Sequence, residues 1–243
     1  MTAFDAAPPA SSPANPCALP DDPSDIELLH SISTRLIGEQ DLDALYGTIV
    51  DAAVSITGSQ FGTMQLLCPP GHSSGHGGEL QLLYSRGLPP EAIGFWQWVN
   101  PAAYSSCTLA LKRGERAIIP DFEQWPDISG TPDLLAFRRS GIRSAQTTPL
   151  VSRNGHLLGM ISTHWAQPHQ SSERDLRLLD ILARQAADLL ERTIAEESLR
   201  TREQELDRTC RALQDAKDRE FDTAEQLRAL NETLEQRVAQ RTA

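Results

Sequence analysis

The stretch IRSAQTTPLVSRNGHLLGMISTHW, residues 142–165, decides how this chain folds. Its two halves, IRSAQTTPL and HLLGMISTHW, read as β-strands. VSRNG joins them, and Asn154-Gly155 is a strong hairpin signal, because both residues accept the positive φ that a tight turn between twisted strands demands. The segment that follows, SSERDLRLLDILARQAADLLER (171–192), is strongly amphipathic and reads as a helix. Ser172 and Asp175 form a variant capping box at its start.

Working back from the hairpin, the same punctuation recurs. TPDLLAFRRSG is a helix opened by Thr131 and Pro132 and closed by Gly141. RAIIPD is a short strand, and SSCTLALKRGE a short helix with a serine cap. PPEAIGFWQWVNPAAY is irregular and aromatic. FGTMQLLC and ELQLLYSRG are strands joined through PPGHSSGHGG, a turn tip by composition. Two helices precede them. One carries Ile26, Leu29, Ile32 and Leu36 at helical spacing and stops at Gly38. The other carries Leu42, Leu45, Ile49, Ala53 and Ile56 and stops at Gly58. The order fits an α+β fold: an antiparallel sheet with helices packed on one face, the first, second and last helices covering that face and the irregular middle the other.

Composition divides the chain of 243 residues further. Residues 1–24, rich in Pro, Ala, Ser and Asp, read as a disordered tail. Residues 25–192 form the folded domain. Residues 193–243 contain no Gly, Pro or Trp and have the makeup of a long helix. A net charge of −11 argues against a general grip on nucleic acid. The start lacks the basic and apolar regions of a secretory signal, and no apolar run is long enough to span a bilayer. The four cysteines, Cys17, Cys68, Cys107 and Cys210, form no CxxC pair, so neither a disulfide framework nor a structural zinc site is supported. A cytoplasmic, reducing compartment is expected. His72 and His76 are four apart, but their Gly-rich stretch will not form the helix that would let them share a metal, and none is expected.

In the last segment, leucines recur every seven residues at 199, 206, 213, 227 and 234, with Glu220 at the one missing position. Taken as d positions, they put Glu203, Cys210, Lys217, Ala224, Asn231 and Val238 at a. A sustained heptad argues a two-stranded, parallel coiled coil and hence a homodimer. The competing reading is a single exposed helix held by i,i+4 charge pairs, which leaves the leucine stripe with nothing to bury it. Half of the a positions are charged or polar, so the seam is weak and suited to changing state.

Three strings, CTLALKRGERAIIPD, GIRSAQTTPLVSRNGHLLGMISTHW and DLRLLDILARQAADLLER, resemble the GAF domains of bacterial sensor proteins. The resemblance covers residues 25–192. It is most specific in TTPL, the following LLGMIST and the helix after them. It implies a small-molecule-binding, dimerising module placed upstream of a kinase, a cyclase or a transcription activator. LNETLEQRVAQRT (230–242) is similar to the signalling helices that precede sensor kinase cores. The expected reading is a module without catalysis of its own, whose helix leads to an absent output domain, a histidine kinase by this likeness.

The resemblance places a pocket between the sheet and the loops on its open face. Phe95, Trp96, Trp98 and Tyr104 cluster there and suit a flat apolar or heteroaromatic ligand; the alternative is that they plug the core. His164 stands where bilin-binding relatives place a chromophore-contacting histidine, and the alternative is a structural histidine at a strand end. Cys107 begins the helix bordering the pocket. A helix N-terminus lowers a thiol pKa, yet packing is the favoured role.

Motifs argue against particular cofactors. Thr108 follows Cys107 where one bilin class has Cys-His. The Asp-Ile-Pro string of phytochromes is absent, and so is the signature of cyclic-nucleotide GAF domains. Haem would rest on His164 alone. The free methionine-sulfoxide reductases of this family need a second thiol in the stretch occupied here by DFEQWPDISGTPDLLAF, which holds none. The ligand is therefore left unidentified. The rival function is a dimerisation and interaction module whose pocket is filled by its own side chains.

Overall fold

A computed structural model of the chain describes residues 23–39, 41–69, 71 and 75–242, with side chains as far as 238. It divides into two compact units, one ending at Arg192 and one beginning at Thr193.

In the first unit six antiparallel strands run in the order β3-β2-β1-β6-β5-β4. They are β1 (Phe61–Leu67), β2 (Leu80–Arg86), β3 (Trp98–Val99), β4 (Ala117–Ile119), β5 (Ser144–Val151) and β6 (Leu157–Trp165). The expected hairpin forms between β5 and β6. Its tip is closed by Ser152 N–H to His156 O (2.9 Å) and Gly155 N–H to Ser152 O (3.0 Å), with Gly155 at φ 76°. Helices α1 (Pro23–Gly38), α2 (Leu42–Thr57) and the start of α6 (Glu173–Thr242) pack on one face. Asp41 caps α2 by accepting from Ala44 N–H at 2.9 Å, and Gly58 ends it in the left-handed conformation. Ser172 caps α6 in the same way, accepting from Asp175 N–H at 3.1 Å.

Because side chains alternate along a strand, the sheet separates two cores. Met64, Leu150 and Ile161 face the long helices with Leu29, Ile49, Val50, Leu179 and Leu182. Leu80, Ala145 and Met160 face α3 (Pro90–Phe95), α4 (Ser106–Arg113) and α5 (Pro132–Ser140), where Trp96, Phe122 and Phe137 fill the second core. The aromatic middle of the chain covers this face, as its composition implies. It is more regular than expected: α3, β3 and two 3-10 turns at Phe122–Gln124 and Pro126–Ile128 occupy it. Elements this short carry no periodicity of their own; β3 exists because Leu80 and Gln81 of β2 pair with Val99 and Trp98.

One position in α1 differs from the helical pattern. Ile26 is 55% exposed, while Asp25 is buried. Asp25 lies one turn before Leu29 on the inward stripe, and Arg174 of α6 meets its carboxylate with two hydrogen bonds. A paired charge is tolerated where an unpaired one would not be. Arg116 makes a second tie to α6. Its Nε donates to Thr148 Oγ1 (3.3 Å), and its Nη2 donates to Leu176 O (3.0 Å) and to Asp180.

In the second unit, α6 carries its heptad leucines exposed, from 50% at Leu234 to 67% at Leu227. Pairs four residues apart support the helix locally, such as Arg211–Asp207 at 2.7 Å. Of the expected tail, only Pro23 and Ser24 fall among the described residues, and they open α1. Among the described residues no helix is long and apolar enough to cross a membrane.

Gly159 marks a close approach between β6 and β1. A Cβ there would collide with the Gln65 carbonyl oxygen and lie 2.9 Å from Leu66 Cα. Backbone on both sides cannot give way as a flexible side chain would. Gly159→Ala is expected to cost about 3 kcal/mol or more, read as a lowered urea midpoint; an unchanged midpoint would show that the two strands can part at no cost.

Candidate functional site

The candidate site is a small cavity under the second core. Its floor is the sheet. Thr63 and Gln65 of β1 and His164 of β6 point into it because they share the alternation of that face, with Leu82 of β2 beside them. Its roof comes from the end of α3 (Trp96), the first turn of α4 (Ser105, Ser106, Cys107) and α5 (Phe137). The roof over Cys107 is held in place by a reciprocal cap. Thr108 N–H donates to Ser105 Oγ (3.1 Å), and Ser105 N–H donates to Thr108 Oγ1 (3.1 Å). The cavity measures about 20 Å³, room for roughly one water molecule.

Three of the expected site residues meet here: Trp96, Cys107 and His164. Three lie elsewhere. Phe95, the last residue of α3, is 46% exposed and faces a groove between α3 and α5. Trp98 stacks on His76 at 4.0 Å, since its β3 partner position turns Val99 inward instead. Tyr104 is 41% exposed and lies edge-on to Trp125. Gln65 and Thr63 were not anticipated. The signal was in the sequence: two polar residues two apart in an otherwise apolar strand, on a row that has to face inward. His76 also pairs with Glu79 through Nδ1 at 2.6 Å, and His72 lies outside the described residues. No cluster able to hold a metal occurs among the described residues.

Burial sets the chemistry of both titratable groups. His164 has Nε2 3.4 Å from Thr63 Oγ1, and desolvation lowers its pKa from 6.5 to about 4. It is therefore a neutral imidazole at neutral pH. A helix N-terminus on its own would lower the pKa of Cys107. Burial instead pushes this thiol up, outweighing the hydroxyls that pull it down. Cys107 Sγ lies 3.2 Å from Ser162 Oγ, and Thr147 Oγ1 links that hydroxyl to Ser106 Oγ at 2.8 Å on each side. The thiol stays protonated within a hydroxyl cluster and is not a ready nucleophile.

The hydrogen bonding of the cavity is incomplete. Gln65 Oε1, Trp96 Nε1 and His164 Nδ1 are buried with no partner in the protein. Left dry, each such atom costs about 1–3 kcal/mol.

A curled antiparallel sheet with long helices on one face and short helices over a small, largely apolar cavity on the other is the architecture of a class of sensory domains. The chain belongs to the GAF domain family, whose model matches residues 39–191. No curated protein matches it. Solved structures share the fold. A domain assigned to a two-component sensor histidine kinase from Sinorhizobium meliloti 1021 is 19% identical with a TM-score of 0.51, over 66% of this chain and 97% of that one. The GAF domain of an Acinetobacter phosphoenolpyruvate-protein phosphotransferase is 16% identical with a TM-score of 0.58, over 73% and 99%. Free methionine-R-sulfoxide reductase from Neisseria meningitidis, solved with its substrate, is 19% identical with a TM-score of 0.54, over 71% and 91%.

The neutral His164 makes stability depend on pH. Between its unfolded value of 6.5 and its folded value of about 4, the unfolded chain takes up a proton that the folded chain refuses. Stability from this group thus falls as pH drops through that window, by about 3 kcal/mol at most, and levels off below it. His164→Gln removes this part of the slope. Cys107, the other titratable group in the lining, is neutral throughout. Urea unfolding of both proteins across the window measures the difference; parallel curves would refute the buried neutral state.

Proposed function

We propose that this chain is the dimeric sensory module of a signalling protein. A small molecule occupies the cavity beneath Trp96. The change passes from the sheet to α6, and α6 pairs with the same helix of a second copy in a parallel coiled coil that leads to a histidine-kinase output domain. The module has no catalysis of its own, in keeping with a buried, protonated Cys107. One observation carries the reading: the leucines at 199, 206, 213, 227 and 234 recur at heptad spacing on a helix whose first turns build the GAF core, and every one is at least half exposed. Such a stripe gains from a matching partner about what a core residue gains from burial. The kinase output is supported by LNETLEQRVAQRT and by the sensor-kinase assignment of one fold relative.

A second reading has its own support. The cavity is small, about 20 Å³, so the protein's own side chains nearly fill it. In that case the module serves dimerisation and interaction alone.

Native mass spectrometry of the purified protein, with an absorption spectrum of the same sample, separates the two. A dimer carrying an extra mass that is lost on denaturation supports the sensor. A dimer of bare chains with no visible band supports the interaction module. A monomer overturns the coiled coil and the route through it.

The register of the pairing has its own test. Cys210 is a free, exposed thiol at a heptad a position, so a parallel pair brings it against its counterpart. Under mild oxidation the parent chain is expected to run as a crosslinked dimer on a non-reducing gel, and Cys210→Ser to run mostly as single chains. Equal crosslinking in both would place the two helices in another register or direction.

A further inference from the structure

We infer that α3 is a gate: residues 88–96 swing away from the sheet as a unit, hinged at Gly87 and Gln97, and open the cavity to solvent while α4 stays in place. Its use as an entry rests on reading the cavity as a ligand site.

The two parts of the roof are held differently. The first turn of α4 is tied by hydrogen bonds. Ser105 and Thr108 cap it reciprocally. Thr147 Oγ1 of β5 donates to Ser106 Oγ at 2.8 Å, and Cys107 Sγ lies 3.2 Å from Ser162 Oγ of β6. Residues 88–96 have no such ties. Among the described residues their hydrogen bonds stay within the segment itself, such as Trp96 N–H to Ala92 O at 3.0 Å. Pro89, at the N-cap of α3, gives the helix no side-chain bond. Apolar contact alone holds the segment down: Ala92 and Trp96 sit in the second core, with Leu88 against it. Segments without tertiary hydrogen bonds are where folded domains open locally.

Trp96 is the latch. It is 8% exposed and packs on Phe137 with ring centroids 4.7 Å apart. Its indole N–H is buried without a partner. Opening hands that N–H to water, which offsets part of the burial that is lost. Both ends of the segment are fixed. At Gly87, φ 79°, a Cβ would lie 2.7 Å from Gln60 O. Gln97 O accepts from Leu82 N–H of β2 at 3.0 Å, and Gln97 Nε2 donates to Leu82 O at 3.4 Å. Space for the motion lies on the outer flank, in a groove of about 190 Å³ between α3 and α5 lined by Ala92, Phe95, Leu135 and Ala136. Leu88 and Trp96 both line the cavity. Moving the segment therefore takes away two walls at once from a space that holds roughly one water.

Native-state hydrogen exchange tests this division of the roof. It is followed by nuclear magnetic resonance on the full chain in low urea, with the Trp96 indole assigned from Trp96→Phe. The Trp96 indole N–H is expected to exchange through a local opening, on the order of a hundredfold less protected than the Leu109 amide of α4 and nearly insensitive to urea. The Leu109 amide, bonded to Ser105 O at 3.1 Å, is expected to follow global unfolding. Alkylation of Cys107 by iodoacetamide, read by peptide mass spectrometry, reports whether the opening reaches the cavity, since this thiol is buried and protonated in the closed form. Its rate is expected to show the same weak urea dependence. It is expected to rise about tenfold in Trp96→Leu, which loses part of the burial that holds the segment down. If that variant does not fold, Trp96→Phe takes its place, with a smaller rise. Trp96 and Leu109 exchanging with one common urea dependence would overturn the gate, because the roof would then move as a whole. Local exchange at Trp96 with a Cys107 that reacts only on global unfolding would overturn the gate as an entry to the cavity. Neither readout uses a ligand, so the gate stands or falls apart from the ligand site, which the retained mass decides.

Discussion

Strands β1 and β6 lie at the middle of the sheet, and both of their faces are buried. Each successive side chain on them must enter one core or the other, so a slip of one residue would exchange the two sets. Met64 and Ile161 go to the long helices; Thr63, Gln65 and His164 go to the cavity. The pairing that fixes this register runs through Gly159, where the chains come too close for any side chain. The polar floor of the site and the apolar support beneath it are therefore products of one alignment. Neither can be moved without the other.

The longer elements were legible because their signals were redundant. The β5–β6 hairpin had an Asn-Gly turn between two apolar runs. Helix α2 had an apolar stripe closed by Gly58, and α5 had Thr131 and Pro132 at one end and Gly141 at the other. The chain between Pro89 and Tyr104 had neither, and its structure is borrowed: α3 packs on α5 and β3 pairs with β2. For the same reason the site was only partly legible. Aromatic density drew Phe95, Trp98 and Tyr104 into the expected pocket beside Trp96. Which aromatic turns inward depends on where α3 ends and how β3 pairs, and residue type does not encode either. Gln65 and Thr63 went unread because their role appears only once β1 is known to be buried on both sides.

Cys107 and His164 illustrate how burial outranks local context. A cysteine in the first turn of a helix invites an activated thiolate, and a histidine near aromatics invites a charged or ligating ring. In this fold both are sealed under α3 and α4. The cost of desolvation drives the thiol up and the imidazole down. The result is a cavity lined by neutral groups alone.

Arg116 gives the fold a further property. One guanidinium holds a hydroxyl on β5, a backbone carbonyl in the first turns of α6 and a carboxylate one turn further on. Thr148, the hydroxyl it holds, is the neighbour of Thr147, whose side chain reaches the hydroxyl cluster at Cys107 on the opposite face. Strand and helix thus share one charged group, and a change in either is felt first at the hydrogen bonds of Arg116.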